Sequence, residues 1–356
     1  MACYVGLDTA KRTTKICVID EDDNVVKEGV VETDPKAIIA FLRGDGRRYA
    51  RVGMESWSLA SWLYAGLAKG GLPIICIEAR HSSAVLKAAR TNKTDKNDAR
   101  GIAEIMRVGL YKTVHIKSPE SQRIKSLLTV RKFLILKMLD TENIVRGTLL
   151  IFGVKIGPGT RTQYEHRVRA LVGSNIELAA VIEPLLTVWR HVYQEAQKLE
   201  QRLKETAVGD PVCRRLMTAP GIGPLSALTF RCGVDEPGRF TQSRNVAAHF
   251  GLTPRTNQSG ETSRSSGISK RGDVAVRTAL FIAAQHQFRI NTRTSWLKDW
   301  GLQVAERRGR MKAITAVARK LAVTLHQMWV TETDFRWILP LADEAAQTVE
   351  PAVVSA

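Results

Sequence analysis

Short apolar segments of strand length occupy the start of the chain. CYVGLD at 3–8 and TKICVID at 14–20 are rich in apolar β-formers, and NVVKEGVVE at 24–32 alternates apolar with polar positions. Such runs are typical of strands, and the acidic turn DEDDN between the last two predicts a hairpin. The pattern therefore predicts three consecutive antiparallel strands.

Helical and strand patterns alternate over the next part of the chain. Apolar positions recur at helical spacing in some segments and form short continuous runs in others. The predicted elements are helices at 35–43, 57–69, 79–90 and 95–108 and strands at 50–55 and 72–78. Three antiparallel strands followed by alternating helices and strands is the element order of the ribonuclease H-like fold. We therefore expect an α/β domain of that class over residues 1–116.

Two long segments of the middle region carry leucine and isoleucine at three- and four-residue steps with charges between them. SQRIKSLLTV opens the first segment and NIELAAVIEP opens the second. This periodicity predicts two helices packed as an antiparallel or intermolecular coil. The Gly-rich and basic stretch at 153–163 predicts a turn or loop between them. We expect residues 117–208 to form a helical coiled-coil region that mediates oligomerisation.

The last third of the chain predicts a mainly helical domain over residues 209–340. Its clearest helical patterns are AVRTALFIAAQHQF and MKAITAVARKLAVTLHQMW, in which apolar residues recur at helical spacing. The closing residues lack a stable pattern and predict a frayed tail at 341–356. The fold class expected for the whole chain is α/β followed by mainly α.

The charge balance points to a polyanionic partner. The 356 residues include 53 Lys or Arg against 35 Asp or Glu, which gives a formal net charge of +18 and an isoelectric point near 9.9. Residues 251–320 alone hold fourteen Lys or Arg against four Asp or Glu. A basic balance concentrated in one segment indicates nucleic acid rather than an anionic membrane.

Cysteine usage and apolar run length indicate the compartment. The five cysteines lack C-x-x-C spacing and are interpreted as reduced core residues. They are Cys3, Cys17, Cys76, Cys213 and Cys232. The N-terminus has no apolar signal-peptide segment, and no run approaches the roughly 18 apolar residues of a membrane span. We expect a cytoplasmic protein without a membrane partner.

Four acidic residues occur where predicted strands end or a predicted helix begins. Asp8 closes the first strand in VGLDTAK, Glu55 closes the fourth in VGMES, and Asp95 and Asp98 lie three residues apart in NKTDKNDAR. Either aspartate of that pair also suits a helix cap or first turn. Four carboxylates at one sheet edge repel one another unless divalent cations neutralise them. Their joint placement predicts a Mg²⁺ site, with Mn²⁺ as an alternative, for phosphoryl transfer.

The glycine turn APGIGPLSA at 219–227 has two interpretations. Gly221 and Gly223 could let backbone N–H groups approach a phosphate, as in a helix-hairpin-helix element. Alternatively, the turn only permits close packing of two helices. The sequence is compatible with both interpretations.

The segment GLTPRTNQSGETSRSSGISKRGD at 251–273 predicts, by composition, a flexible and solvated loop. Its cations Arg255, Arg264, Lys270 and Arg271 are candidate contacts to phosphate oxygens. A serine of this segment would become nucleophilic only if those charges and a nearby metal activated it.

Five motifs in order along nearly the whole chain carry a family resemblance. GLDTAK, GMES, NKTDKNDAR, PGIG and FGLTPRTNQSGETSRSSGISKRGDVAVRTAL resemble the DEDD transposases of the IS110 and IS1111 insertion-sequence family, to which Piv-type DNA invertases are related. The resemblance implies that Asp8, Glu55, Asp95 and Asp98 form a RuvC-like Mg²⁺ site. It also implies that Ser259, in NQSGE, attacks DNA and forms a phosphoserine intermediate before rejoining.

The same resemblance implies partners. Members of the family bring the serine and the acids together between protomers, in tetramers joined through the coiled-coil region. They also bind a structured noncoding RNA, a bridge RNA, whose loops pair with donor and target DNA. Base pairing would then supply the choice of sequence. For a prokaryotic element of this kind we expect association with the nucleoid when active.

Two other functions stay open on the sequence. A metal-dependent nuclease or Holliday-junction-resolvase-like hydrolase could cut DNA with the four acids and would need no serine. A noncatalytic nucleic-acid-binding derivative could retain the acids after losing its assembly. The presence of all four acids together with Ser259 favours the recombinase over both alternatives.

Overall fold

The computed structural model describes residues 2–44, 46–89, 95–259, 262–289 and 293–338. Within these ranges only the backbone is described at 85–89, 95–97, 256–259 and 262–266. The chain forms two compact units, Met1–Lys117 and Ser118–Ala356. The predicted tail at 341–356 lies outside the described residues. The finer division into three domains and a tail stays a prediction.

A mixed five-stranded sheet forms the first unit. Its strands are β1 Cys3–Thr9, β2 Thr13–Ile19, β3 Val25–Glu32, β4 Tyr49–Glu55 and β5 Ile74–Ile77. Strand β1 pairs antiparallel with β2 and parallel with β4, and the order across the sheet is β3-β2-β1-β4-β5. The predicted antiparallel start and the predicted α/β character are therefore confirmed.

The turn between β2 and β3 is held by one carboxylate. Asp20 is buried, and its Oδ1 accepts hydrogen bonds at 2.9 Å from the backbone N–H groups of Asp22 and Asn24. These bonds, led by the one from Asn24, hold the pKa of Asp20 below its ordinary value. An aspartate that closes its own turn in this way explains why the acidic stretch forms the predicted hairpin.

Helices cover both faces of this sheet. They are α1 Pro35–Arg43, α2 Ala60–Lys69, α3 Ala79–Ala89 and α4 Asp95–Val108. Val5, Leu7 and Met54 are fully buried in a cluster with α1 and α2. On the other face Gly6 and Gly53 lie under α4, where a Cβ at Gly6 would come within 2.0 Å of a carbonyl oxygen of that helix. Glycine in both strands therefore lets α4 approach the sheet closely.

A long helical hairpin opens the second unit. Its helices are α5 Pro119–Ile151, α6 Tyr164–Val172 and α7 Ile176–Gly209. The second half of α5 and the first half of α7 share a core with α6, in which the Tyr164 and Trp189 rings lie 4.8 Å apart. Arg131, early in α5, pairs with Glu200, late in α7. The two long helices are therefore antiparallel, which confirms one of the two predicted packings.

The rest of the second unit is mainly helical, as predicted. Its helices are α8 Pro211–Leu216, α9 Pro224–Val234, α10 Arg244–His249, α11 Val274–Gln287, α12 Trp296–Arg308 and α13 Arg310–Val330. They enclose a core that includes Phe230 and Phe250 and receives Ile124 from α5 and Leu203 from α7. The two ends of the α5–α7 hairpin therefore contribute to different cores.

The serine-rich segment is not the flexible loop that its composition predicts. It forms two antiparallel strands, β6 Pro254–Ser259 and β7 Thr262–Ile268, which we call the serine hairpin. Composition failed here because polar serine and threonine residues give no apolar alternation, although their backbone groups pair across strands.

Candidate active site

Two of the predicted acids lie near the ends of neighbouring parallel strands. The last registered pair of β1 and β4 is Leu7 with Met54, and Asp8 and Glu55 each follow that pair by one residue. Because side chains alternate along a strand, Asp8 lies on the face of Gly6 and Glu55 on the face of Gly53. That face packs against α4, and both carboxylates are half-buried.

The remaining two acids lie at the start of α4. Arg51, which is opposite Tyr4 in the register, donates from Nη1 to the carbonyl oxygen of Met106 at 2.7 Å. Further along β1, Gly6 lies against Ala99 and Ala103. Residues later in β1 therefore contact residues earlier in α4, which means that α4 runs antiparallel to β1. The helix begins near the ends of β1 and β4.

Asp95 is the first residue of α4, and Asp98 lies one helical turn later and is half-buried. The side chain of Asp95 lies outside the described residues. A helix N-terminus favours carboxylates through its dipole, so the placement suits a first-turn role as well as a ligand role. The fold brings Asp8, Glu55 and the backbone of this turn to one edge of the sheet.

A buried serine holds one of these carboxylates. Ser82 on α3 donates from Oγ to Oε1 of Glu55 at 2.5 Å. Ser82 was not predicted as a site residue, because its only signal in the sequence is a serine one turn into a helix that follows a strand. Cys76 lies in the adjacent strand β5, where burial, with the charge of Glu55, raises the pKa of its thiol to about 11. Cys76 therefore stays a protonated core thiol near neutral pH.

The donor chemistry of these acids suits a hard divalent cation, but the carboxylate oxygens of Asp8, Glu55 and Asp98 do not all lie within 4.8 Å of one another. Carboxylate oxygens are the protein ligands that Mg²⁺ and Mn²⁺ prefer. Asp8, Glu55 and Asp98 offer such oxygens from a sheet edge and a helix that pack together. Among the described contacts, the hydrogen bond from Ser82 uses one oxygen of the Glu55 carboxylate.

The serine hairpin carries Ser259 in the second unit. Ser259 is the last residue of β6 and pairs with Thr262, the first residue of β7. Its side chain and that of Arg264 lie outside the described residues. The other serines of the segment, Ser263, Ser265 and Ser266, belong to β7.

Two glycines anchor the base of this hairpin. Gly251 has a φ of +70°, and a Cβ there would lie 2.3 Å from the carbonyl oxygen of Arg271. Gly272 has a φ of +78°, and a Cβ there would lie 2.0 Å from the carbonyl oxygen of His249. Arg277 donates to the carbonyl oxygens of both Phe250 and Arg271. The residues that flank the serine hairpin are therefore tightly packed.

The predicted phosphate contacts lie near this base. Arg255 is exposed, and its Nη2 donates to the carbonyl oxygen of Ser269 at 3.0 Å. Lys270 and Arg271 are also exposed, and Lys270 adopts a positive φ of 55°. These three cations surround the start and end of the hairpin rather than Ser259 itself.

The predicted glycine turn joins α8 to α9. Gly221 has a φ of +81°, and a Cβ there would lie 2.5 Å from the carbonyl oxygen of Ala283 in α11. Close packing therefore accounts for Gly221. Gly223 caps α9 without a side-chain hydrogen bond and has open space around it.

Comparison with known proteins decides the family. A family model described as Transposase IS116/IS110/IS902 family matches residues 213–298, and the model of DEDD transposases of IS110 elements, described as Transposase, matches residues 5–153. The transposase for insertion sequence element IS1111A of Coxiella burnetii is 30% identical over 338 residues, which cover 93% of this chain and 91% of that protein.

The chain belongs to this insertion-sequence transposase family. A probable family 20 transposase of Pseudomonas aeruginosa is 27% identical over 93% of the chain and 98% of its own length. The transposase for IS1328 of Yersinia enterocolitica is 27% identical over 79% of the chain and 83% of its own length. The resemblance stated from the motifs is therefore confirmed.

The two matched regions of the transposase divide the candidate site. The first contains all four acids, and the second contains the glycine turn and Ser259. In the described part of the transposase, no helix combines the length and apolar character that a membrane span needs.

Proposed function

We propose that this transposase cuts and rejoins the DNA of its insertion sequence, with Ser259 as the nucleophile and the four acids as a metal site. Family membership supports DNA cleavage and transposition as the activity. The single observation that carries the proposed site is the position of Asp8 and Glu55, one residue beyond the last pair of two parallel strands and beside the start of α4.

The strand order β3-β2-β1-β4-β5 supports a ribonuclease H-like, RuvC-like first unit. In that arrangement Asp8, Glu55, Asp95 and Asp98 would hold Mg²⁺ or Mn²⁺. When bound, the cation would supply Lewis-acid stabilisation of charge on the phosphate oxygens. The chain's own contribution is to orient the carboxylates, as Ser82 does for Glu55.

In the proposed reaction Ser259 Oγ attacks the scissile phosphorus. A bond forms between Oγ and phosphorus, and the bond between phosphorus and one deoxyribose oxygen breaks. The serine proton passes to water, and the leaving oxygen takes up a proton to become a free hydroxyl. Rejoining reverses these steps when a hydroxyl of another strand attacks the phosphoserine. No oxidant or energy donor is needed, because one phosphodiester replaces another.

We further propose two partners for this reaction. The net charge of +18 supports a polyanion beyond the DNA itself, such as a structured noncoding RNA that guides the enzyme by base pairing. The α5–α7 hairpin exposes apolar residues such as Phe133 and Ile144, which supports association of protomers into dimers and tetramers. Assembly would bring the acids of one protomer to Ser259 of another.

A hydrolytic nuclease is the second candidate, because the acids and Ser259 belong to separate units. The test mixes the full chain with Mg²⁺, labelled junction DNA and the noncoding RNA of the element. We expect a protein–DNA adduct that survives denaturing detergent and disappears in both Ser259→Ala and Asp8→Ala. Ser263→Ala is the matched control and should retain the adduct. Cleavage that persists in Ser259→Ala without an adduct would establish the nuclease instead.

A further inference from the structure

A cavity of about 450 Å³ opens beside the base of the serine hairpin. Its walls come from Pro254 and Ile268, the outermost pair of the hairpin, from Trp300 on α12, and from one side of α13. The volume falls within the roughly 300–1,000 Å³ typical of small-molecule sites. Neither the proposed metal site nor the nucleophile uses this cavity.

The charged residues that line this cavity are all cations, namely Lys312, Arg319 and Lys320. Lys320 is held in place by two indoles, since its Nζ lies 4.3 Å from the ring centroid of Trp300 and 5.0 Å from that of Trp296. Burial lowers the pKa of Lys320 below its ordinary value. The cavity therefore joins an aromatic wall to a cationic rim.

An aromatic wall beside cations matches the chemistry of a nucleotide. A base stacks on an indole, and the adjoining phosphate pairs with Lys or Arg. Bases inside a duplex are already stacked on their neighbours and cannot enter such a site without leaving the helix. An unpaired nucleotide therefore suits this cavity, and the described lining holds no acidic side chain that would repel its phosphate.

The cavity also lies within reach of the proposed chemistry. Pro254 lines it at one end of β6, and Ser259 ends the same strand. A strand rises about 3.3 Å per residue, so the two positions are about 17 Å apart along β6. A DNA strand bound at Ser259 could therefore place a nucleotide in the cavity a short distance from the scissile bond.

We propose that this cavity captures an unpaired nucleotide of the DNA strand that the serine hairpin engages. The base lies against Trp300, and its phosphate is bound by Lys312 and Arg319. This inference rests on the proposed function and adds a binding site to it. Such a site would hold the strand open next to the break and would favour distorted or melted DNA over intact duplex.

Binding in the absence of divalent cations tests this site separately from catalysis. The full-length protein in EDTA is titrated into labelled single-stranded DNA and into the corresponding duplex, and fluorescence anisotropy is measured. We expect Trp300→Leu to weaken single-strand binding about tenfold, as loss of a stacking aromatic does, with little effect on duplex binding. Trp300→Phe should retain most of the affinity, and Trp62→Leu, an exposed tryptophan of the first unit, should match the wild type.

Equal single-strand affinity for wild type and Trp300→Leu would overturn the inference. Tighter binding of single-stranded RNA with the same dependence on Trp300 would overturn the assignment to DNA. Should Trp300→Leu fail to fold, photocross-linking of wild-type protein to iodouracil-substituted single-stranded DNA decides, because the inference requires a cross-link in the peptide that contains Trp300. A Ser259 adduct without this dependence on Trp300 would reject the cavity and leave the proposed function standing.

Discussion

Ser82 Oγ donates a 2.5 Å hydrogen bond to Glu55 Oε1. Ser82 is buried, and its hydroxyl also lies 3.1 Å from the carbonyl oxygen of Ala79 in the first turn of α3. Helix α3 follows β5, the edge strand that pairs with β4. The orientation of a candidate metal ligand at the end of β4 is therefore controlled by the element that follows the neighbouring strand.

We predict that Ser82→Ala lowers the rate of adduct formation about tenfold while the fold is retained. Loss of a hydrogen bond to a charged group costs about 1.5–3 kcal/mol, and here the loss frees the Glu55 carboxylate to rotate. The measurement is the adduct rate as a function of Mg²⁺ concentration, with Ser83→Ala as the control on the same helix. An unchanged rate at every Mg²⁺ concentration would show that Ser82 does not position Glu55.

We predict that Gly6→Ala destabilises the first unit. The new Cβ would meet the Ala99 carbonyl oxygen at 2.0 Å and the Ala103 nitrogen at 2.5 Å, so α4 would have to move away from β1. Overpacking of this kind costs about 1–3 kcal/mol. Amide hydrogen exchange should accelerate in β1 and α4.

Gly147→Ala is the matched control for this change, because a Cβ at Gly147 meets nothing within 4 Å. Alanine in that helix interior should stabilise slightly. If the β1 amides of Gly6→Ala were as well protected from exchange as those of the wild type, the close approach of α4 would be contradicted.

We predict that Gly251→Ala abolishes adduct formation and leaves the first unit folded. The substitution would place a Cβ 2.3 Å from the Arg271 carbonyl oxygen at a residue with a φ of +70°. The steric clash and the strain of alanine at a positive φ both distort the base of the serine hairpin.

Gly267→Ala, in the same hairpin, is exposed and should retain adduct formation, because a Cβ there meets nothing within 4 Å. The adduct assay measures the loss of activity, and hydrogen exchange of the sheet amides measures whether the first unit stays folded. Adduct formation by Gly251→Ala at the wild-type rate would show that the packed base is dispensable.

We predict an acid-dependent loss of stability in the α5–α7 hairpin. Hydrogen bonds from Arg190 hold the pKa of Glu165 below its ordinary value, and hydrogen bonds from Arg169 do the same for Glu183. A carboxylate whose pKa is lower in the folded protein than in the unfolded chain stabilises the fold. This stabilisation is fully present at pH values above the pKa of the unfolded chain. That contribution is lost as the pH falls through the folded pKa.

Thermal unfolding followed between about pH 7 and pH 3 checks this prediction. Because both carboxylates are partly exposed, the contribution of each pair to stability is expected to be small. Glu165→Gln should lower the melting temperature at neutral pH and flatten its decline toward acid. If the melting temperature fell equally with pH in the wild type and in Glu165→Gln, the pair of Glu165 with Arg190 would not be the cause of the acid-dependent loss of stability.

Local signals predicted most elements of this chain. The helix at residues 35–43 was found with its observed bounds, because Asp34 accepts hydrogen bonds from the first backbone N–H groups and Pro35 occupies the first turn. The first strand was predicted within one residue of Cys3–Thr9, since its side chains are apolar on the side that α1 and α2 bury. The connection before Tyr164 was predicted as a loop, but the short helix α6 that follows it was not predicted.

Other features depend on contacts between distant residues. The serine hairpin has no apolar alternation, and its pairing follows from a base in which Gly251 and Gly272 pack against backbone. Gly221 had two interpretations until Ala283, 62 positions along the chain, was found against it. Ser82 carried no motif at all.

The sequence by itself determined the family, the α/β start and the long helices, because motif order and periodicity are properties of neighbouring residues. It predicted the four acids and Ser259 as site residues. Only the tertiary structure decided that Asp8 and Glu55 lie near the ends of adjacent parallel strands, beside the start of α4, and that Ser82 donates a hydrogen bond to Glu55. Trp300 and Lys320 likewise become a cavity wall only when α12 and α13 pack together. The physical reason is that strand register and close helix packing join residues far apart in the chain, and local periodicity carries no information about that pairing.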